Sequence, residues 1–225
     1  MKTKTFLLII LIISSYLANA QFRQYTFGLK AAPQISWIKP NLDTYQGDGA
    51  RLGFSWGFIS EFGISENNCI ASGFNIVFNG GNLKFAAKNG NGDAGTMRRA
   101  YYIKSVEIPL TLKMRTNPIG NIRYYGQIGF GTSFRFDAKA KDEFTLSNNT
   151  TITSPKASYN NVSFLRESLI VGLGAEYTPH AGPTFSAGLD LNNGFTDMLS
   201  GSNSLSSKKE KATLSFVELT IAVLF

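Results

Sequence analysis

The stretch Lys211–Phe225, KATLSFVELTIAVLF, shows the pattern on which the fold prediction rests. Glu218 stands between apolar residues that recur at every second position. Side chains two residues apart share one face of an extended strand. The apolar face here consists of Val217, Leu219, Ile221, Val223 and Phe225. A period of two predicts a β-strand with one apolar and one polar face.

The same alternation recurs in seven further segments, and no comparable stretch fits the helical period. These segments are Tyr25–Trp37, Arg51–Ile64, Cys69–Phe78, Arg99–Arg115, Arg123–Phe136, Ser163–Tyr177 and Gly182–Asn192. The chain is therefore predicted to be all-β, with eight antiparallel strands.

The connections between these strands alternate strictly between long and short. The long ones are Ile38–Ala50, Asn79–Arg98, Asp137–Val162 and Asn193–Glu210, and the short ones are Ser65–Asn68, Thr116–Ile122 and Thr178–Ala181. An up-and-down barrel places alternate connections at opposite ends, and outer-membrane barrels have short periplasmic turns and longer external loops. The pattern predicts an eight-stranded antiparallel up-and-down transmembrane β-barrel of this kind.

Composition excludes several other classes. The chain has 225 residues, and its mean hydropathy of −0.04 excludes a helical membrane bundle, in which every span needs about 20 continuous apolar residues. A single Cys excludes a disulfide scaffold and a cysteine-based zinc site, and a single His argues against a histidine-dependent centre. We expect no cofactor and no metal.

The first twenty residues have the pattern of a signal peptide. Lys2 and Lys4 precede an apolar run, Phe6–Leu17, that is too short to span a bilayer. Small residues then occupy the two positions that a signal peptidase reads, which predicts cleavage between Ala20 and Gln21. The alternative is a short uncleaved anchor. We predict a signal peptide over 1–20, export, and a single barrel domain over 21–225.

The polar faces of the strands carry about one charge each, separated by glycine and serine. These charges are Lys30, Glu61, Glu107, Lys113, Arg135, Arg166, Glu176, Asp190 and Glu218. With the apolar faces inside, the protein would be a soluble lipocalin-like periplasmic or secreted barrel that binds a small apolar ligand. Sparse charges among glycines suit a crowded interior better than a solvated surface. We therefore favour the membrane orientation, with these charges paired as a structural network in the lumen.

Aromatic residues lie near both ends of the predicted strands, as expected for a barrel crossing two membrane interfaces. Those near the short turns are Tyr25, Phe62, Tyr124, Tyr177, Phe185 and Phe225. Those near the long loops are Trp37, Phe54, Phe78, Tyr102 and Phe136. Two such bands support the membrane orientation.

Short motifs of the mature chain resemble the PorT-like outer-membrane β-barrel proteins of the Bacteroidetes type. They are the signal ending before Gln21, the run Glu107-Ile108-Pro109-Leu110 followed by Lys113, the glycine-rich Gly126–Gly131, and Asn192-Asn193-Gly194-Phe195. The resemblance covers residues 21–225. It implies an outer-membrane location and a possible link to a protein secretion system. The last strand also resembles the terminal assembly signal of bacterial outer-membrane barrels, and Leu219, Ile221, Val223 and Phe225 carry that resemblance.

An eight-stranded barrel has an interior that side chains can fill, so we predict a closed, salt-bridged lumen; a narrow gated path is the alternative. We expect no enzyme, because His180 lies in a short periplasmic turn and the inward carboxylates are predicted to be ion pairs. The expected partners are outer-membrane lipid and the barrel assembly machinery, with an envelope or secretion-system protein that docks on the external loops as a further candidate. Nucleic acid is not expected, and the barrel is predicted to be monomeric.

Overall fold

The computed structural model describes residues 25–88, 91–201 and 211–225. The predicted signal peptide and its cleavage site between Ala20 and Gln21 lie outside the described residues. The strands are β1 Tyr25–Pro40, β2 Tyr45–Gly47, β3 Arg51–Gly63, β4 Asn68–Lys88, β5 Ala94–Arg115, β6 Ile122–Leu146, β7 Thr151–Thr153, β8 Ala157–Ser158, β9 Leu165–Tyr177, β10 Thr184–Gly194 and β11 Ala212–Leu224.

Eight of these strands form a closed antiparallel ring. Their order around the ring is β1, β3, β4, β5, β6, β9, β10 and β11, and β11 pairs back onto β1. The last residue takes part in the closure, because the backbone amide of Phe225 donates to the carbonyl oxygen of Phe27 at 2.6 Å. The short strands β2, β7 and β8 add to β4 or β6 at one end. The predicted eight-stranded up-and-down barrel is confirmed.

The alternating residues of each barrel strand point either out of the ring or into it. Leu29, Phe130 and Leu173 are 62%, 58% and 67% exposed, whereas the charged residues between such positions are buried. A continuous exposed apolar surface of this size needs lipid to cover it. The soluble lipocalin-like arrangement, with its apolar face inside, is therefore not the one this chain adopts. The described ranges contain no helix long and apolar enough to cross a membrane.

Three strands are longer than predicted, and two segments predicted as loops are largely strand. β4 continues to Lys88, β5 already begins at Ala94, and β6 continues to Leu146. Beyond the apolar belt these strands rise as an outer extension, which we define as residues 79–88, 94–104 and 137–146. The Gly80-Gly81 pair, predicted to be part of a loop, pairs with Tyr102 and Tyr101 inside this sheet.

The reason for the error is that the apolar face changes sides at the edge of the belt. In the membrane part of β4, Phe74 and Phe78 point outward to lipid. In the extension the exterior is water, and Leu83 and Phe85 point inward while Lys84 is exposed. A search for one uninterrupted alternation therefore ends at the glycine pair, although the strand does not.

A β-bulge adjusts β6 at the same height. Lys104 pairs with Asp137 and Ser105 pairs with Arg135, so Phe136 has no direct partner in β5. One extra residue reverses which positions of a strand face inward. Phe136 therefore points outward to the apolar belt, whereas Ala138 and Phe144, which are also even-numbered, point into the extension.

An apolar core fills the outer end of the barrel. Leu83 and Tyr101 are fully buried at its centre, and Leu42, Met97, Leu146 and Tyr159 pack against it. The remaining members are Ile38, Tyr45, Phe85, Ala87, Ile103, Ala138, Phe144, Val162, Met198, Leu199, Ala212 and Leu214. We call this set the outer core; it holds the extension together and covers the lumen from the outside.

Candidate functional site

A ring of four charges occupies the lumen near the short-turn end. Nζ of Lys113 lies 2.7 Å from Oε1 of Glu61 and also contacts Oε1 of Glu176. Nε of Arg115 lies 2.6 Å from Oε2 of Glu176, and Nη2 of the same guanidinium contacts Oε2 of Glu61. Each cation thus pairs with both carboxylates. We call these four residues the lumen ion cluster.

The lumen ion cluster joins opposite walls of the barrel. Glu61 lies on β3 and Glu176 on β9, and three strands separate β3 from β9 in either direction around the ring. Lys113 and Arg115 reach both carboxylates from β5, which lies midway between them. All four side chains are largely buried, where an unpaired charge would carry a large desolvation cost. The cluster therefore crosses the lumen as a charged cross-brace.

Further inside, Glu107 is the centre of a second cluster. Its Oε2 accepts hydrogen bonds from Nδ2 of Asn192 at 2.9 Å and from Oγ of Ser133 at 3.1 Å. Nη1 of Arg166 lies 3.6 Å from the same oxygen. Arg166 also donates to the carbonyl oxygen of Leu214, from Nη2 at 2.9 Å and from Nε at 3.1 Å. These contacts link the walls just below the outer core.

Three of the four remaining predicted lumen charges border the cavity between these two clusters. Lys30 donates to Oε1 of Glu218 at 2.7 Å, and Oγ of Ser55 donates to Oε2 of Glu218 at 2.8 Å. Asp190 accepts a hydrogen bond from Oγ1 of Thr220 at 2.6 Å. Gln127 also donates to this carboxylate. Asp190 is thus held by neutral donors, where we expected an ion pair.

Two basic residues depart from the sequence prediction. Arg135 donates from Nε to the carbonyl oxygen of Ser163 at 3.3 Å and lines a small cavity with Ser133 and Arg166, but it makes no ion pair with the described carboxylates. Arg115 was not among the predicted lumen charges. It lies two residues after Lys113 on the same strand, so both side chains point to the same face. This spacing could have identified Arg115 as a lumen residue. With Arg115, basic and acidic lumen residues are equal in number.

Glycines in the wall make room for a large aromatic side chain in the lumen. Tyr125 packs over Gly174 and Gly188, which are direct partners on β9 and β10. A Cβ at Gly188 would lie 2.2 Å from the Tyr125 hydroxyl, and one at Gly174 would lie 2.6 Å from it. The Tyr125 ring also receives Nζ of Lys113 at 4.1 Å from its centroid. The wall glycines thus position an aromatic platform beside the lumen ion cluster.

Little open space remains between the two clusters. The internal cavity has a volume of about 70 Å³ and is bounded by Lys30, Glu107, Lys113 and Asp190. An open vestibule of about 910 Å³ lies on the short-turn side of the lumen ion cluster, and Glu66, Arg123 and His180 border it. The described residues contain no group of three or more His, Cys, Asp or Glu side chains that could hold a metal ion.

At the external end of the barrel, Arg99 joins two strands of the extension through hydrogen bonds. It donates to both carboxylate oxygens of Asp142, at 2.6 and 2.7 Å, and from Nη1 to the hydroxyl of Tyr159 at 2.7 Å. Burial disfavours its charge, but the hydrogen bonds to Asp142 and the nearby Tyr159 and Tyr101 outweigh burial and raise the pKa of Arg99. This bidentate pair joins β5 to β6 beside the outer core.

The structure places the residues of the predicted terminal assembly signal along the lipid-facing side of β11. Leu219, Ile221 and Phe225 are exposed there, and Val223 is half-buried. The aromatic residues near the short turns are likewise exposed at the ends of their strands, and Tyr25 makes an edge-on contact with Phe62, with ring centroids 5.6 Å apart. These positions form the rim of the apolar belt.

A closed antiparallel ring with an apolar exterior and a charged, filled lumen defines an integral β-barrel of the outer membrane. The chain belongs to the family described as the outer membrane protein beta-barrel domain, whose model matches residues 19–200. It resides in the outer membrane, contacts lipid around its belt and belongs to a class of proteins that the barrel assembly machinery inserts. A comparison with curated protein sequences found no match.

Solved structures of small outer-membrane barrels are similar over most of their length. Neisserial surface protein A is 13% identical, with 90% of this chain and 96% of that chain covered and a TM-score of 0.45. OprG of Pseudomonas aeruginosa is 13% identical, with coverages of 88% and 95% and a TM-score of 0.43. The Yersinia pestis attachment invasion locus protein Ail, in complex with a heparin analogue, is 13% identical, with coverages of 90% and 100% and a TM-score of 0.36.

Proposed function

We propose that the protein is a non-conducting, non-enzymatic barrel of the cell envelope whose outer extension serves as an interaction surface. The observation that carries the proposal is the closure of the lumen at two levels. The lumen ion cluster joins opposite walls, and the outer core covers the external end, with a cavity of only about 70 Å³ between them.

The absence of catalysis is part of the proposal. The inward carboxylates that could act as a pair, Glu61 and Glu176, are each held by Lys113 and Arg115. Two carboxylates that already neutralise two cations are poor candidates for exchanging protons with a substrate. Both side chains are also about 95% buried, so a substrate would have to displace the cluster in order to reach them.

The extension supports a role in contacts outside the cell. Its three long strands are paired along their whole length and have their own apolar core and the Arg99–Asp142 pair. Polar side chains such as Lys84 and Lys88 remain exposed on its outer face. A rigid, elevated sheet offers a preformed surface, which costs less ordering entropy on binding than a flexible loop.

The resemblance to PorT-like proteins gives one candidate for the partner class. If the protein takes part in a protein secretion system, a component of that system would dock on the extension. The support for this finer assignment is the set of short motifs around Glu107, Gly126–Gly131 and Asn192. These motifs lie in the barrel wall, so they bear on membership of that group and leave the identity of the partner open.

Single-channel recording in planar bilayers tests the closed lumen. The reconstituted full-length protein should give no stable conductance steps. The variant Glu61→Ala/Lys113→Ala/Glu176→Ala provides a positive control for insertion, because it should give more frequent current fluctuations. A large, steady conductance of the unmodified protein would overturn the proposal.

Photo-crosslinking in intact cells tests the interaction surface. A photoreactive residue at Lys84 or Lys88 should give discrete protein adducts that do not form at Ile119, which is 67% exposed in a short turn at the opposite end. Adducts that are equally frequent at Ile119, or none at the extension, would contradict an external docking role.

A further inference from the structure

A cluster of cations surrounds Tyr102 on the outer face of the barrel. The guanidinium carbon of Arg51 lies 4.0 Å from the Tyr102 ring centroid, and Nζ of Lys156 lies 3.3 Å from it. Lys139 is the direct partner of Tyr102 on β6 and is exposed. We call Arg51, Tyr102, Lys139 and Lys156 the Tyr102 cluster. Three different parts of the chain contribute its three positive charges.

The charges of this cluster are not balanced by carboxylates. Asp137, which lies two residues before Lys139 on β6, pairs with Lys104 at 3.2 Å. Arg51 makes one weak hydrogen bond to the neutral Asn82, at 3.4 Å. Within the residues that the structure describes, no ion pair involves Arg51, Lys139 or Lys156. Like charges gathered around one ring repel each other unless an anion lies between them.

The height of the cluster indicates which anion can reach it. The apolar belt ends on these strands at Leu52, Phe78 and Phe136, which are all exposed. On β4, Phe78 precedes Gly80 by two residues, and Gly80 pairs directly with Tyr102. The Tyr102 cluster therefore lies one step above the Lys104–Asp137 ion pair at the edge of the belt, at the height of the outer-leaflet head groups.

The cations of the Tyr102 cluster supply the donors that a phosphate group accepts from. Arg offers paired donors that fit the oxygens of a phosphate, and Lys adds compact charges that can approach from the rim. An aromatic residue at this height also suits the interface between hydrocarbon and head groups.

We propose that the Tyr102 cluster is a binding site for the phosphate of an outer-leaflet lipid head group. The site holds one phosphorylated lipid against the β4–β5–β6 wall, with its acyl chains along the belt and its phosphate against the cations that surround Tyr102. Tyr102 and Lys139 lie at the base of the extension. The inference is nevertheless independent of the proposed docking role, because it concerns a lipid at the edge of the belt and not a protein partner.

The test is native mass spectrometry of the full-length protein in nonionic detergent, titrated with diphosphorylated lipid A. The unmodified protein should retain this lipid at lower concentrations than dephosphorylated lipid A. The variant Arg51→Gln/Lys156→Gln should bind it roughly ten- to thirty-fold more weakly. The charge-matched control Lys84→Gln/Lys88→Gln, which changes exposed lysines higher on the extension, should bind like the unmodified protein.

Two further arms make every outcome informative. Inorganic phosphate at the concentration of the lipid should not displace it; displacement would mean that the site takes free phosphate rather than a lipid head group. If the double variant does not fold, as judged by heat-modifiable gel migration, the single change Lys156→Gln in an exposed segment replaces it. Equal retention of both forms of lipid A, or unchanged retention by the cluster variant, would overturn the proposal.

Discussion

Nζ of Lys113 lies 2.7 Å from Oε1 of Glu61 even though β4 separates their two strands in the ring. Lys113 also contacts Glu176 on the opposite wall, and its ammonium group packs over the Tyr125 ring. One side chain thus connects three walls of the lumen. It is the residue whose loss should weaken the barrel most directly.

Replacing Lys113 with Met keeps most of the side-chain volume and removes the charge. Glu61 and Glu176 would then share Arg115 as their remaining cation in the cluster, which leaves one buried negative charge uncompensated. Breaking a buried pair in this way costs about 3 to 5 kcal/mol. The free energy of unfolding, measured by urea titration in lipid vesicles, should fall by an amount in that range.

Lys139→Met is the matched control for this change. Lys139 is exposed on the outer extension and forms no ion pair with the described carboxylates, so its replacement should change the free energy of unfolding by less than about 0.5 kcal/mol. Equal effects of the two substitutions would show that the lumen ion cluster does not stabilise the barrel.

The wall glycines permit a sharper test of lumen packing. Gly188→Ala places a methyl group 2.2 Å from the present position of the Tyr125 hydroxyl, so that the ring must move within a filled lumen. We expect a loss of about 1 to 3 kcal/mol in stability. In Gly188→Ala/Tyr125→Phe the clashing oxygen is absent, and part of the loss should be recovered.

A double-mutant cycle provides the measurement. Two residues in contact show coupling of about 0.5 kcal/mol or more, whereas independent sites are additive to within that value. The single change Tyr125→Phe gives the fourth corner and reports the cost of losing the weak hydrogen bond from Ser186. Strict additivity would mean that Tyr125 does not pack over Gly188.

Arg99 should govern the stability of the extension without affecting the barrel below it. Arg99→Gln removes the bidentate pair with Asp142 and the bond to Tyr159. Protease added to outer-membrane vesicles should then cut the extension faster, while the protected barrel fragment keeps its heat-modifiable migration. Arg98→Gln, at an exposed neighbouring position, should change the cleavage rate much less.

The pH dependence of the same contact has a definite sign. A raised pKa contributes stability that is complete below the unfolded value and is lost only as the pH rises through the folded value. Because the pKa of Arg99 is raised above an ordinary value that is already beyond about 12, its charge persists through neutral and moderately alkaline pH. A loss of protection between pH 7 and about 9 that disappears in Arg99→Gln would contradict this.

The barrel itself could be predicted from the sequence because lipid imposes one rule on every strand. Outward residues are apolar, and inward positions carry scattered charges such as Glu61 and Lys113. The extension could not be predicted in the same way, because water replaces lipid above the belt. There the apolar Leu83 points inward, on the side of the strand that carries polar residues within the belt. The bulge at Phe136 also reverses which residues of β6 point inward, and nothing in the local sequence indicates a bulge there.

The pairing of side chains across the lumen was also beyond the reach of the sequence. The alternation of side chains placed Asp190 and Arg135 on the inner face. Which residues meet across the lumen depends, however, on how far each strand is staggered around the ring. Asp190 meets Gln127 and Thr220, and Arg135 meets a backbone carbonyl. Arg115 could have been predicted as a lumen residue, because it lies two residues after Lys113 on the same strand. It was missed because it is the last residue of that strand.

The change of apolar face at the edge of the belt leads to a prediction about two adjacent residues. Leu83 is fully buried in the outer core and Lys84 is exposed, although both lie on β4 within the extension. Leu83→Asp would bury a carboxylate without a partner, which should open the extension and cost several kcal/mol. Lys84→Asp should leave it closed.

Hydrogen exchange of the extension in lipid vesicles separates these outcomes, because both variants retain the full lipid-facing belt and should insert normally. Faster exchange over residues 79–88 and 94–104 in Leu83→Asp alone would support the inverted pattern. If Lys84→Asp produced the larger effect, Lys84 rather than Leu83 would face the interior of the extension, and the proposed change of the apolar face above Gly80-Gly81 would be wrong. Comparing the substitutions at Leu83 and Lys84 therefore tests whether this part of β4 is surrounded by water rather than by lipid.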